Sequence, residues 1–101
     1  MMRNGRAFVD HWVWAGSKGL MNSTTARILA NACQQVVSVL DGWESLDVDE
    51  IDAEQTFQRF INIRGRDLTP RSLQDYKRRF TQALDSFRAY LRDPAGTKPL
   101  S

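Results

Sequence analysis

The sequence predicts an all-α fold, a small four-helix bundle, from three observations. Apolar residues recur at steps of three and four over most of the chain, which is the pattern that buries one side of an α-helix. No segment has a convincing β-strand pattern of alternating apolar and polar residues. A chain of 101 residues with one cysteine can build a single modest core but no disulfide framework.

The first helix is predicted over residues 6–15. Phe8, Trp12 and Ala15 are four and three residues apart, so they share one side of a helix and are expected to face inward. The glycines and polar residues at 16–19 disfavour a helix, and we expect the first helix to end there.

The second helix is predicted over residues 23–40. Asn22 or Ser23 can cap its start by accepting a hydrogen bond from a free backbone N–H, and the Asp-Gly pair at 41–42 stops it. The side chains expected in the core are Ile28, Leu29, Ala32, Cys33, Val36, Val39 and Leu40. Because Cys33 is on this apolar side, its thiol is expected to be an inert core group.

The third helix is predicted over residues 49–63, after a connector at 43–48. The Arg-Gly-Arg sequence at 64–66 is expected to end it. Its inward residues are expected to be Ile51, Phe57, Phe60 and Ile61.

The fourth helix is predicted within residues 67–92 and has the clearest pattern. Asp67 or Thr69 can cap its start, and Pro70 suits the first turn, where its missing N–H costs nothing. One apolar stripe runs through Leu73, Tyr76, Phe80, Leu84, Phe87 and Leu91. The residues that follow, 93–101, have no periodicity and are expected to form a linker.

Charge is strongly segregated along the chain, although the formal net charge is only +2. Residues 41–54 contain seven acids and no Lys or Arg, whereas residues 55–92 contain nine bases and three acids. This pattern predicts one end that repels a polyanion and one face that attracts it. The acidic run at 47–50 lacks the glycine and the ligand spacing of an EF-hand loop, so no metal site is expected.

The polar sides of the second and fourth helices indicate the kind of partner. On the second helix the polar residues are Ser23, Thr24, Arg27, Asn31, Gln34, Gln35 and Ser38. A solvated helix is usually rich in Glu and Lys, whereas Asn, Gln and Arg pair with base edges in a major groove and hydroxyls bind phosphates. Opposite the apolar stripe of the fourth helix are Arg71, Gln74, Arg78 and Gln82. These faces favour double-stranded DNA as the partner, and the alternative is packing against another protein domain.

The sequence provides no catalytic constellation. His11 is the only histidine, and beside Trp12 and Trp14 it is expected to be half-buried rather than to act as a base. The chain is therefore predicted not to be an enzyme and to need no cofactor. No segment is long and apolar enough to span a bilayer, and the single cysteine favours a cytoplasmic protein.

Several motifs together resemble a known family. The sequence Gly-Leu-Met-Asn-Ser-Thr-Thr at 19–25 opens the second helix after a short first one. One position departs from the family that this pattern resembles, because Ile28 stands where that family often has a tyrosine. The connector Leu-Asp-Val-Asp-Glu-Ile at 46–51 is followed by the capped start Thr-Pro-Arg-Ser at 69–72. The fourth helix then carries Tyr76, Phe80 and Phe87, and ends on Tyr90-Leu91. Over about residues 6–94 this arrangement is similar to the N-terminal core-binding domain of tyrosine recombinases, the phage-integrase family.

The resemblance implies a SAM-like domain at 1–92 that closes over one side of the DNA, and a linker at 93–101 toward a C-terminal catalytic domain. None of the family's catalytic motifs occurs in this chain, so its expected role is to clamp and position the recombination site. The isolated domain is expected to be a monomer. The expected DNA contacts are Thr24, Arg27, Asn31, Gln34, Arg64, Arg66, Arg71, Gln74, Lys77 and Arg78. The alternative function is a helical adaptor that binds a protein through the acidic connector at 41–54.

Overall fold

The computed structural model describes residues 3–93, which form four α-helices and two short 3-10 helices. The α-helices are α1 (Gly5–Ser17), α2 (Ser23–Val37), α3 (Ala53–Arg64) and α4 (Pro70–Arg92), and the 3-10 helices are Val48–Glu50 and Gly65–Asp67. The predicted all-α fold with four helices is confirmed. Except for Asp93, the predicted linker lies outside the described residues. Within the described range, no helix has both the length and the apolar character needed to cross a membrane.

Side-chain caps begin two of the helices where the sequence predicts. The side chain of Asn22 accepts hydrogen bonds from the backbone N–H groups of Thr24 and Thr25, at the start of α2. Thr69 likewise accepts from the N–H of Ser72, and Pro70 occupies the first position of α4. Each cap satisfies N–H groups that have no partner inside the helix, and this fixes the helix start.

The predicted start of the third helix at residue 49 is wrong. Asp47 caps the separate 3-10 helix Val48–Glu50, and Ile51 then adopts an extended conformation with φ −82° and ψ 115°. Asp52 caps α3 by accepting a hydrogen bond from the N–H of Gln55 at 2.9 Å. The acidic run therefore supplies two successive caps, and each begins its own helix.

The core lies between α2 and the other three helices. Phe8 of α1 is fully buried and meets two rings of α4, with centroids 6.1 Å from Phe80 and 5.7 Å from Phe87. Other buried members of the core include Trp12, Leu29, Cys33, Val36, Val37, Phe57, Phe60 and Leu84. The apolar sides predicted for α1 and α4 are confirmed.

The prediction that Ile28 is buried is wrong, because 48% of Ile28 is exposed. α2 turns its small residues Ala26 and Ala30 toward α1 instead. The approach is close, since a Cβ added at Gly16 would lie 2.7 Å from the Cβ of Ala26. This close contact sets the rotation of α2 and leaves Ile28 outside. α2 also ends at Val37, so Val39 and Leu40 lie in the following turn and are only partly buried.

The connector between α2 and α3, residues 38–52, is held by hydrogen bonds from two directions. The N–H groups of Gly5 and Arg6 donate to the carbonyls of Leu46 and Glu44, at 3.0 and 3.2 Å. From the other side, Nη2 of Arg88 on α4 donates to two buried carbonyls of the connector, those of Val48 at 2.7 Å and Ile51 at 2.6 Å. Arg88 is thus a structural residue and not part of a basic surface.

Candidate nucleic-acid interface

The exposed face of α2 includes the four side chains of this helix that were predicted to contact DNA. Thr24, Arg27, Asn31 and Gln34 are all exposed. Their side chains make no hydrogen bond or ion pair with any of the residues 3–93. Because α2 already has its backbone bonds and its buried side satisfied, these groups are available to a partner.

Two grooves border this face. The groove between α1 and α2 has a volume of about 440 Å³, and its α2 wall includes Arg27, Asn31 and Gln34. The groove between α2 and α4 has a volume of about 290 Å³. It is lined by Ile28, Asn31, Ala32, Ser72, Asp75, Tyr76 and Arg79. Asn31 borders both grooves, so it lies on the ridge that separates them.

The exposed face of α4 carries the predicted residues Arg71, Gln74, Lys77 and Arg78. Arg71 and Arg78 are seven residues apart, about two helical turns, and so lie on one line along the helix. Nη2 of Arg78 is 3.2 Å from a carboxylate oxygen of Asp75, so its charge is partly neutralised within the helix. None of these four side chains lines the groove beside α2.

Sequence reasoning missed the residues of α4 that do border α2. Ser72, Asp75 and Arg79 line the shared groove, and the hydroxyl of Tyr76 donates to Oε1 of Gln35 at 3.3 Å. Each of the three groove residues is adjacent in sequence to a residue that was predicted to contact DNA. A signal was therefore present, but a helical wheel alone does not show on which flank the next helix packs.

The two arginines before α4 differ in their surroundings. Arg64 is half-buried, and its Nε lies 3.9 Å from a carboxylate oxygen of Asp67. Arg66 is exposed and has no ion-pair partner among the described residues. Both flank the start of α4, so they extend the positive charge of that helix beyond Arg71.

The acidic connector is less repulsive than the sequence predicts. Arg3 pairs with Asp49 and lies 4.0 Å from Asp47, and Arg6 pairs with Glu44 at 3.1 Å. The hydrogen bond to Glu44 raises the pKa of Arg6. The acids of this segment that have no partner within residues 3–93 are Asp41, Glu50 and Glu54.

The titratable groups that could have suggested catalysis are enclosed in packing. His11 lies between Trp14 and Tyr90, with ring centroids at 5.5 and 4.6 Å, and burial lowers its pKa. Burial also raises the pKa of the Cys33 thiol, and the predicted core position of this residue is confirmed. Over residues 3–93, no three His, Cys, Asp or Glu side chains are placed to hold a metal ion.

Comparison with known proteins gives no match to a protein-family model, a curated protein or a solved structure. The resemblance to the core-binding domain of tyrosine recombinases therefore stays a prediction from motifs. What the chain does must be inferred from its own exposed faces.

Proposed function

We propose that this chain is a DNA-binding domain that presents α2 and α4 to duplex DNA. Its motifs favour the SAM-like core-binding domain of a tyrosine recombinase, which positions the recombination site while a separate catalytic domain cuts and joins the strands. The observation that carries the proposal is the face of α2, where Thr24, Arg27, Asn31 and Gln34 are exposed and unpartnered.

The dimensions and chemistry of this face suit a major groove. An α-helix with its side chains is about 10–12 Å across, and the major groove of B-DNA is about 12 Å wide. Asn31 and Gln34 can pair with base edges from the ridge of α2, while the hydroxyl of Thr24 suits a phosphate oxygen. Arg27 can reach either a phosphate or a guanine edge.

The distribution of paired and unpaired cations also favours DNA over the adaptor alternative. Arg3 and Arg6 are engaged by the acidic connector, and Arg88 by carbonyls of the same segment. In contrast, Arg66, Arg71 and Lys77 have no anionic partner within residues 3–93. Among the described residues, unpaired cations therefore remain on α2 and near α4, and also at Lys18 and Arg59, whereas part of the acidic charge that an adaptor would use is already compensated.

Salt-dependent binding tests the proposed surface. The isolated domain should bind duplex DNA with a Kd of ~10⁻⁴–10⁻⁶ M, the range of largely non-specific phosphate contacts. Replacing Arg71 and Arg78 together by Ala should lower the affinity and flatten the slope of log affinity against log salt by about two, or less where Asp75 already compensates Arg78.

A matched control separates a local contact from net charge. Lys18→Ala with Arg59→Ala removes the same two charges from exposed positions that are not among the proposed DNA contacts. This control should leave the slope close to that of the parent. An equal loss in both double variants would show that only the net charge matters, and the assignment of the α4 face would be rejected.

Nuclear magnetic resonance titration with duplex DNA distinguishes the two functions. The amide shifts should concentrate on α2, α4 and the Arg64–Arg66 segment. Replacing Asp41 and Glu50 should leave binding intact or strengthen it, because repulsion is removed and neither side chain has a partner within residues 3–93. Shifts confined to the connector, with α2 and α4 unaffected, would reject DNA in favour of the adaptor.

A further inference from the structure

Ile28 is an exposed apolar side chain at the edge of the hydrogen-bonding face of α2, on the side toward α4. It is 48% exposed, and its exposed neighbours along the helix are all polar: Thr24, Thr25, Arg27 and Asn31. It also lines the groove between α2 and α4 beside the polar residues Ser72 and Asp75. A single exposed isoleucine is common on protein surfaces. Ile28 is unusual in its surroundings, because the exposed side chains around it are hydrogen-bonding groups.

A major groove offers one apolar group to such a side chain. Among the four standard bases, only thymine presents a methyl group in that groove, at C5. The modified base 5-methylcytosine presents a methyl group at the same place. Isoleucine is branched at Cβ and so holds nearly one χ1 rotamer in a helix, which gives it a fixed apolar surface. We propose that Ile28 is a specificity-determining residue that contacts a pyrimidine 5-methyl group, that of thymine in unmodified DNA.

The neighbouring Asn31 sets the expected spacing. The two residues are three positions apart, a rise of about 4.5 Å along the helix axis. Base pairs are spaced about 3.4 Å apart, so both side chains can reach bases about one to two pairs apart. Because Asn pairs bidentately with adenine, we expect a preferred thymine within about two base pairs of a preferred adenine.

Replacing thymine by uracil is the direct test, because it removes the methyl group and leaves every hydrogen-bonding group in place. The parent domain is first used to select duplexes from a random pool, and each thymine of the preferred sequence is then replaced by uracil. At the thymine that contacts Ile28, uracil should weaken binding about fourfold, because the burial of one methyl-sized group is lost. Placing cytosine and then 5-methylcytosine at that position tests whether the methyl group acts independently of thymine.

Two variants assign the effect to Ile28. Ile28→Ala should bind the thymine and uracil duplexes equally and keep the salt slope of the parent. Ile63→Ala is the matched control, since Ile63 is 61% exposed and lies on α3. It should discriminate as the parent does. Melting temperatures of both variants near that of the parent would verify that each is folded.

The outcomes separate this assignment from the proposed function, on which it rests. One contrary result is that the parent binds duplex DNA with no position sensitive to uracil, and another is that it binds thymine-containing and uracil-containing pools equally. Either result would overturn the role of Ile28 and leave DNA binding intact. Discrimination that persists in Ile28→Ala would assign the methyl contact to another residue. Failure of the parent to bind any duplex would overturn both.

Discussion

Replacing Arg88 by Met tests whether one cation on a basic helix is structural. The Met side chain keeps an apolar stem but removes the guanidinium that donates to the carbonyls of Val48 and Ile51. Both of these residues are buried, with 0% and 2% of their surface exposed. Water therefore has little access to the two carbonyls once Arg88 is gone.

The magnitude follows from these two contacts. A buried polar group left without its partner costs roughly 1–3 kcal/mol. Part of this cost is offset, because Nε of Arg88 is itself buried without a hydrogen bond and lies 4.0 Å from Asp49. We therefore expect Arg88→Met to lower the free energy of unfolding by about 2–4 kcal/mol. For a domain of this size, that corresponds to a fall in Tm of about 10–25 °C.

Urea denaturation followed by far-ultraviolet circular dichroism measures the effect. Arg92→Met is the matched control, because Arg92 is one helical turn further along α4 and is exposed. It should unfold at nearly the same urea concentration as the parent. If Arg88→Met did so too, the connector carbonyls would be satisfied without Arg88, and a structural role for this residue would be rejected.

Four further predictions concern the core and its titratable groups. Phe80→Ala should lower the free energy of unfolding by ~3–5 kcal/mol, because Phe80 is fully buried against Phe8; a melting curve like that of the parent would mean that α4 faces the other way. Gly5→Ala should cost about 1–3 kcal/mol in a thermal melt, since the added Cβ would lie 2.0 Å from the carbonyl oxygen of Trp43, and an unchanged Tm would show that the connector shifts to accommodate it. Burial lowers the pKa of His11 in the folded state, so the unfolded chain binds more protons below about pH 6.5 and stability should fall as the pH decreases through that range. This loss should be smaller in His11→Phe when Tm is measured against pH. Cys33 should react with an alkylating reagent only on unfolding, because burial raises its pKa and blocks access, and rapid labelling of the native protein would contradict its core position.

Helix starts were predictable where the candidate caps lie within two residues of each other. Asn22 and Thr69 each stand before an apolar-periodic segment, and each caps its helix as expected. The start of α3 was not predictable in this way, because Asp47, Asp49 and Asp52 are all competent caps. The choice among them depends on the burial of Val48, which the local sequence does not reveal.

The main error of the sequence prediction was the side of α2 that faces the core. The error arose because small residues of α2 decide that side. Hydrophobic periodicity gives weight to Ile28, whereas Ala26 and Ala30 contribute little to it. In the folded chain, the close approach of Gly16 to Ala26 decides which side of α2 is inside. The exposed polar residues of α2 were nevertheless predicted, since Thr24, Arg27, Asn31 and Gln34 are all exposed. The inward-facing role of Arg88 could not be predicted, because its partners are backbone carbonyls some forty residues away.

The connector also has a consequence for how the domain opens. Its amide and carbonyl groups are bonded to Arg3, to the first two residues of α1 and to the last third of α4. None of these attachments can be released without disturbing the same segment. Elements tied in this way open together rather than one by one. In native-state hydrogen exchange, the amides of Gly5, Arg6 and Val48 should therefore share one opening free energy and respond equally to denaturant, although more than forty positions separate the first from the last.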